Sequence, residues 1–155
     1  MKTYFDTGVL LKLYTGELES VRVERFVRSR REKLFVTDLH ISESVSALKL
    51  KVFRKECQEE EAAAGIALIM DDLKSGVLQL VEVDWIHVWQ ECRLLSEKFA
   101  STSGVRTLDA LHVAVARLSG AKEFVTSDSR QSNLAARIGL LVIDPTGRCS
   151  AAIIG

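Results

Sequence analysis

Four acidic residues, Asp6, Glu43, Asp109 and Asp128, stand where their neighbours do not explain a charge. Most of the 21 acidic side chains lie in polar runs such as Glu59-Glu60-Glu61 and Asp71-Asp72, where water takes the charge. Asp6 instead follows the β-prone Thr3-Tyr4-Phe5, and Asp128 follows Phe124-Val125-Thr126-Ser127. Both therefore fall at strand carboxyl ends, where an open parallel sheet places its ligand crevice. Glu43 belongs to a helical stretch with one apolar stripe of Ile41, Val45, Leu48 and Val52 and a second of Leu39, Ala47 and Leu50. At 100° per residue it falls inside the second stripe. Asp109 sits in the first turn of Leu108-Asp109-Ala110-Leu111-His112-Val113-Ala114-Val115-Ala116, a helix apolar on nearly every side. A carboxylate in such company needs a partner, because an unpaired buried charge is either neutralised or avoided.

Taken singly, each acid has a plainer reading. Asp6 and Asp128 suit helix N-caps, Asp109 suits the dipole of a helix capped by Thr107, and Glu43 reaches water if its stripe is partly covered. Taken together, two acids at strand ends and two on buried helices describe one acidic pocket. Its donors are all oxygen, without His or Cys, and such a set selects a hard cation, Mg²⁺ or Mn²⁺ rather than Zn²⁺. A divalent ion also lets four mutually repelling carboxylates stay ionised.

The elements that must position these acids are legible from periodicity. Strands are expected at residues 3–5, 34–37, 78–83, 124–126 and 140–143, with helices at 8–14, 18–30, 39–55, 58–74, 85–99, 108–118 and 132–138. Strands alternating with helices imply a mainly parallel sheet covered on both faces. With 155 residues, 47% apolar, 27% charged and one proline, the chain is expected to fold as a single domain over residues 1–155. Residues 100–104 read as a loop before a helix, and the tryptophans read as core on a stripe of Trp85, Val88, Cys92, Leu95 and Phe99. Residues 145–150 read as a terminal linker.

Twenty-one basic residues balance the acids, so no long-range field draws in a polyanion. The clusters Arg28, Arg30, Arg31, Lys33 and Lys49, Lys51, Arg54, Lys55 read as solvated helix faces. Cys57, Cys92 and Cys149 form no ligand series with His40, His87 and His112, and are expected to be reduced and mostly buried. His112 reads as a hydrogen-bonded core residue. Asp6 interrupts any signal-peptide-like stretch and no apolar run is long enough to span a bilayer, so a cytoplasmic location without a membrane anchor is expected.

The motifs resemble those of the PIN-domain family, specifically the VapC-like toxin ribonucleases of toxin-antitoxin pairs, nearly end to end. Phe5-Asp6-Thr7 is similar to the family's opening strand and first acid, and Ser42-Glu43-Ser44-Val45-Ser46-Ala47-Leu48 to its second. Arg106-Thr107-Leu108-Asp109-Ala110-Leu111-His112 resembles the third, and Phe124-Val125-Thr126-Ser127-Asp128, leading into residues 135–140, the fourth. Gly8 departs from the pattern, since the family often carries a small hydroxyl or amide residue there. The resemblance implies a three-layer α/β/α domain with a five-stranded parallel sheet in order 3-2-1-4-5, which sets strands one and four side by side. It also implies a Mg²⁺- or Mn²⁺-dependent endoribonuclease, with Asp6 and Asp109 as the nearest metal ligands and Glu43 and Asp128 acting through water. Thr7 and Thr126 would support the carboxylates, and Arg106 and Arg130 would hold phosphates. RNA as substrate, a cognate antitoxin and a homodimer complete the implied partners, the dimer using surplus apolar surface on the helices at 39–55 and 58–74.

Two other readings also suit an acidic pocket on a parallel sheet. A phospho-accepting receiver would need a pair of acids after strand one and a lysine after strand five, where this chain has one acid and Asp144-Pro145. A non-catalytic RNA- or partner-binding PIN domain would not need all four acids.

Overall fold

The computed structural model describes residues 1–147, so the expectations for Cys149 and for the end of the 145–150 linker lie outside the described residues. The strands are β1 Thr3–Phe5, β2 Leu34–Val36, β3 Leu78–Leu80, β4 Glu123–Val125 and β5 Leu141–Ile143. The helices are α1 Thr7–Leu11, α2 Ser20–Arg30, α3 Asp38–Phe53, α4 Glu59–Ser75, α5 Trp85–Ser103, α6 Thr107–Leu118 and α7 Ser129–Arg137. The described residues fold as two compact units, 1–6 with 83–147, and Thr7–Glu82.

In the first unit β1, β4 and β5 pair in parallel, in that order, with Tyr4 opposite Phe124 and Phe124 opposite Val142. All of β1 is buried, as expected of a parallel strand covered on both faces. The Tyr4 and Phe124 rings stack with centroids 5.3 Å apart. Helix α6 is buried at every residue from Asp109 to Ala116, and its alanines at 110, 114 and 116 let its neighbours α5 and α7 approach closely. On α5 the buried stripe is Val88, Cys92 and Leu95. Burial pushes the Cys92 thiol pKa up, in keeping with an inert core cysteine. Trp89 corrects the reading of both tryptophans as core: it is 44% exposed, one residue past the stripe. Residues 100–103 are not a loop but the last turn of α5, closed by Gly104 at φ 65° and by Ser103 Oγ donating to the Phe99 carbonyl at 2.7 Å.

In the second unit β2 and β3 pair in parallel, with Phe35 opposite Gln79, and the Val81 N–H carries the ladder one residue further by donating to the Val36 carbonyl at 2.8 Å. The hydrogen-bonded sheet is thus in two parts, 1-4-5 and 2-3, rather than the single five-stranded 3-2-1-4-5 sheet expected. Each ladder is only three residues long, so strand edges leave pairing after a single turn of the pleat. Helix α3 packs on α4 and α1. Its most buried positions are His40, Ser44 and Leu48, of which only Leu48 belongs to either stripe that hydropathy selects, and Leu50 of the second stripe is 43% exposed. At Gly65 of α4 a Cβ would lie 3.3 Å from Leu48 Cδ1 and 3.4 Å from the Tyr14 carbonyl oxygen, so glycine permits the close approach of α3.

An ion network closes the α1–α2 connection. Lys12 Nζ lies 2.8 Å from Glu17 and 2.9 Å from Glu19, and Lys51 Nζ reaches Glu17 at 2.8 Å. Burial opposes ionisation of Glu17, but hydrogen bonds from Lys12 and Lys51 outweigh it and hold the carboxyl at about 2. Lys51 is therefore not a solvated helix-face charge. Among the described residues no helix is long and apolar enough to cross a membrane.

Candidate active site

Asp6 is held at the end of β1 by its own backbone. Its N–H donates to the Val125 carbonyl at 2.9 Å, carrying the β1–β4 ladder one residue further, and the side chain is 3% exposed. The fully buried Thr126 donates its Oγ1–H to Asp6 Oδ2, and the same Oγ1 accepts the Asp128 N–H at 2.9 Å. One hydroxyl therefore ties the first acid to the backbone of the fourth. Parallel pairing of β1 with β4 is what brings them together, because it aligns the carboxyl ends of the two strands.

Asp128 divides its labour between its oxygens. Oδ1 accepts from the Arg130 and Gln131 amides at 2.8 and 3.1 Å, the helix cap that sequence suggested as its plainer role. Oδ2 lies 3.8 Å from Arg130 Nη2. Asp109, 8% exposed on α6, accepts the Arg106 N–H at 2.9 Å on Oδ2. The helix begins at Thr107, so the N-cap position belongs to Arg106 and not to Thr107 as expected. Arg106 Nε is 3.8 Å and Arg130 Nε 3.6 Å from that same oxygen. The two arginines expected to hold phosphates thus lie against acids, Arg106 at i,i+3 spacing from Asp109 and Arg130 from the start of a different helix.

Glu43 belongs to the second unit. Half-buried on α3, it accepts a hydrogen bond at 2.6 Å on Oε2 from Oγ1 of Thr7, itself buried at the start of α1. His112 is buried with Nδ1 2.6 Å from Tyr4 Oη, so it serves the packing of α6 against β1.

In the first unit, Asp6 and Asp128 meet through the Thr126 hydroxyl, and Asp128 and Asp109 through the Arg130 guanidinium. Among the described residues no group of three or more His, Cys, Asp or Glu side chains is drawn together tightly enough to hold a metal. The chemistry of the donors nonetheless fits a hard divalent ion. They are carboxylates, a cationic group already lies against two of them, and Mg²⁺ is commonly held by one or two carboxylates plus water and substrate phosphate.

Parallel strands alternating with helices, with acids at the strand carboxyl ends, place the molecule among α/β proteins whose ligand site lies along that edge. The PIN-domain family profile matches residues 3–137, and the chain belongs to that family. Within it the chain is VapC-like. It is 26% identical over 145 residues to Ribonuclease VapC46 of Mycobacterium tuberculosis, a match covering 92% of this chain and 97% of that protein. Two crystal structures share the fold. VapC20 of Mycobacterium tuberculosis, a Sarcin-Ricin loop cleaving toxin, superposes with a TM-score of 0.59 at 18% identity, covering 88% of this chain and 95% of its own. FitAcB from Neisseria gonorrhoeae gives a TM-score of 0.60 at 15% identity, covering 92% and 97%.

Proposed function

We propose that the protein is a divalent-metal-dependent endoribonuclease, the toxin of a toxin-antitoxin pair, acting as a single PIN domain over residues 1–155. The observation that carries this reading is the bridged trio Asp6, Asp128 and Asp109, all within one unit of a chain similar along almost its whole length to a ribonuclease. PIN-domain nucleases of the VapC type generally depend on a divalent metal, which fits an all-oxygen donor set.

Asp6 and Asp109 are the proposed nearest ligands of Mg²⁺ or Mn²⁺, with Asp128 acting through water and Thr126 fixing the orientation of Asp6; Glu43, oriented by Thr7, is a further proposed catalytic acid that acts through water. A bound ion of this kind supplies an activated water and offsets charge on the attacked phosphate. Asp6 suits a ligand role because its burial and the Thr126 bond hold one oxygen in place. Asp128 keeps Oδ1 on the α7 cap, so Oδ2 is the oxygen it offers to the site. Arg106 and Arg130 supply positive charge for RNA phosphates.

A cognate antitoxin is the proposed protein partner, in line with toxin relatives, and a homodimer the proposed assembly. Exposed Phe53, Leu68 and Met70 on α3 and α4 supply apolar surface for such contacts. A cytoplasmic location is part of the same proposal.

The test is cleavage of defined RNAs by extensively purified protein with Mg²⁺ or Mn²⁺, and with EDTA as control. Asp6→Asn and Asp109→Asn are expected to abolish discrete cleavage while leaving the circular dichroism spectrum unchanged. Cleavage by both variants at the wild-type rate would falsify the assignment. Metal-independent binding of RNA without products would favour the non-catalytic reading.

A further inference from the structure

Arg130 is placed by the same cap that fixes Asp128. Its amide donates to Asp128 Oδ1, which starts α7 and sends the Arg130 side chain back across the carboxylates. The guanidinium then spans two acids, with Nε 3.6 Å from Asp109 Oδ2 and Nη2 3.8 Å from Asp128 Oδ2. Both separations are ion-pair distances, longer than the hydrogen bonds that a guanidinium forms when it forks onto a carboxylate. Nε is buried and has no hydrogen-bond partner, although the side chain as a whole is 38% exposed. A buried N–H left without an acceptor is costly, and a group held only by loose ion pairs can leave them at little expense.

We propose that Arg130 is a displaceable internal counter-ion of the acidic site: its guanidinium lies against Asp109 Oδ2 and Asp128 Oδ2, yields them to a divalent cation, and then turns its fork to a substrate phosphate. The proposal rests on the metal-dependent reading above. Arg130 is thus a positioning residue that holds two like charges together beforehand and couples cation binding to phosphate binding. Arg106 does not share this role. It approaches only Asp109, at 3.8 Å, and is 68% exposed.

The experiment is a Mn²⁺ titration of the full chain, followed both by melting temperature and by electron paramagnetic resonance of free Mn²⁺, on wild type, Arg130→Gln, Arg130→Lys and Arg106→Gln. Arg130→Gln is expected to lower the Mn²⁺ midpoint by about three- to tenfold, as removal of a partly screened competing cation should. It is also expected to lower the melting temperature measured in EDTA, where the two carboxylates lose their bridge. Arg130→Lys should lower the midpoint less, since a point charge cannot span both oxygens, and it stands in should the Gln variant fail to fold. Arg106→Gln should change the midpoint less than Arg130→Gln does. Equal effects of the two Gln substitutions would reduce the role of Arg130 to bulk charge and overturn the proposal, as would an unchanged or raised midpoint in Arg130→Gln. A wild-type protein that takes up no Mn²⁺ would instead remove the metal-dependent reading itself, and this proposal with it.

Discussion

Thr126→Val keeps the volume of a fully buried side chain and removes only its hydroxyl. Two bonds go with it: the one donated to the buried Asp6 carboxylate and the one accepted from the Asp128 amide. A hydrogen bond to a charged group contributes roughly 1.5–3 kcal/mol. The Asp128 amide belongs to a half-buried residue that water can partly reach, so its loss adds about 0.5–1 kcal/mol. Burial of the replacing methyl group returns about 0.8 kcal/mol. The expected net loss is about 1–3 kcal/mol, which for a domain of this size lowers the melting temperature by roughly 2–12 °C. The assay is urea unfolding at pH 7 in EDTA, followed by circular dichroism, for Thr126→Val and Thr126→Ser singly and for Thr126→Val combined with Asp6→Asn. Ser keeps the hydroxyl and should cost about 1 kcal/mol, from the lost methyl group alone. In the Asp6→Asn background the Val substitution should cost at least about 1 kcal/mol less, because the accepting oxygen no longer carries a charge. A Thr126→Val protein within about 0.5 kcal/mol of wild type, or strict additivity in the cycle, would refute the claim that this hydroxyl holds the acid in place.

Mn²⁺ or Mg²⁺ at about 100 times its dissociation constant should contribute roughly 2.7 kcal/mol and raise the melting temperature by several degrees over the same ionic strength of Na⁺. Asp6→Asn should shrink that shift and Glu60→Gln should not; differential scanning fluorimetry reads both. Glu17 has a carboxyl depressed from 4.5 to about 2 by Lys12 and Lys51, so its stabilisation is complete above pH 4.5 and disappears as pH falls through about 2. With its side chain 32% exposed, the discounted contribution is about 1–2 kcal/mol, and Glu17→Gln should lose it at pH 7 while flattening the stability profile between those values, as checked by urea midpoints across pH. Tyr4→Phe removes the buried bond to His112 and should cost about 1–2 kcal/mol in the same assay, with RNA cleavage retained.

The sequence by itself determined the α/β alternation. Hydrophobic periodicity is a local signal, and the strands and helices fall within a few residues of where it puts them. It also marked Asp6, Glu43, Asp109 and Asp128 as out of place, because a carboxylate beside a strand-like or apolar helical run conflicts with its surroundings. The extent of the Ala100–Ser103 turn was less legible, since Ser and Thr bonding back to Phe99 resemble a loop by composition. Only the tertiary structure decided that Trp89 is largely outside the core, that α3 buries His40, Ser44 and Leu48, and that the ladders are 1-4-5 and 2-3. Which side of a helix is covered, and which strand finds which edge, depends on neighbours far along the chain. The same holds at the acids. Thr126 lies 120 residues from Asp6, and Arg130 reaches Asp109 from the start of a different helix, so their hydrogen bond and ion pair are set by parallel strand pairing and a helix cap, not by spacing that can be counted along the sequence.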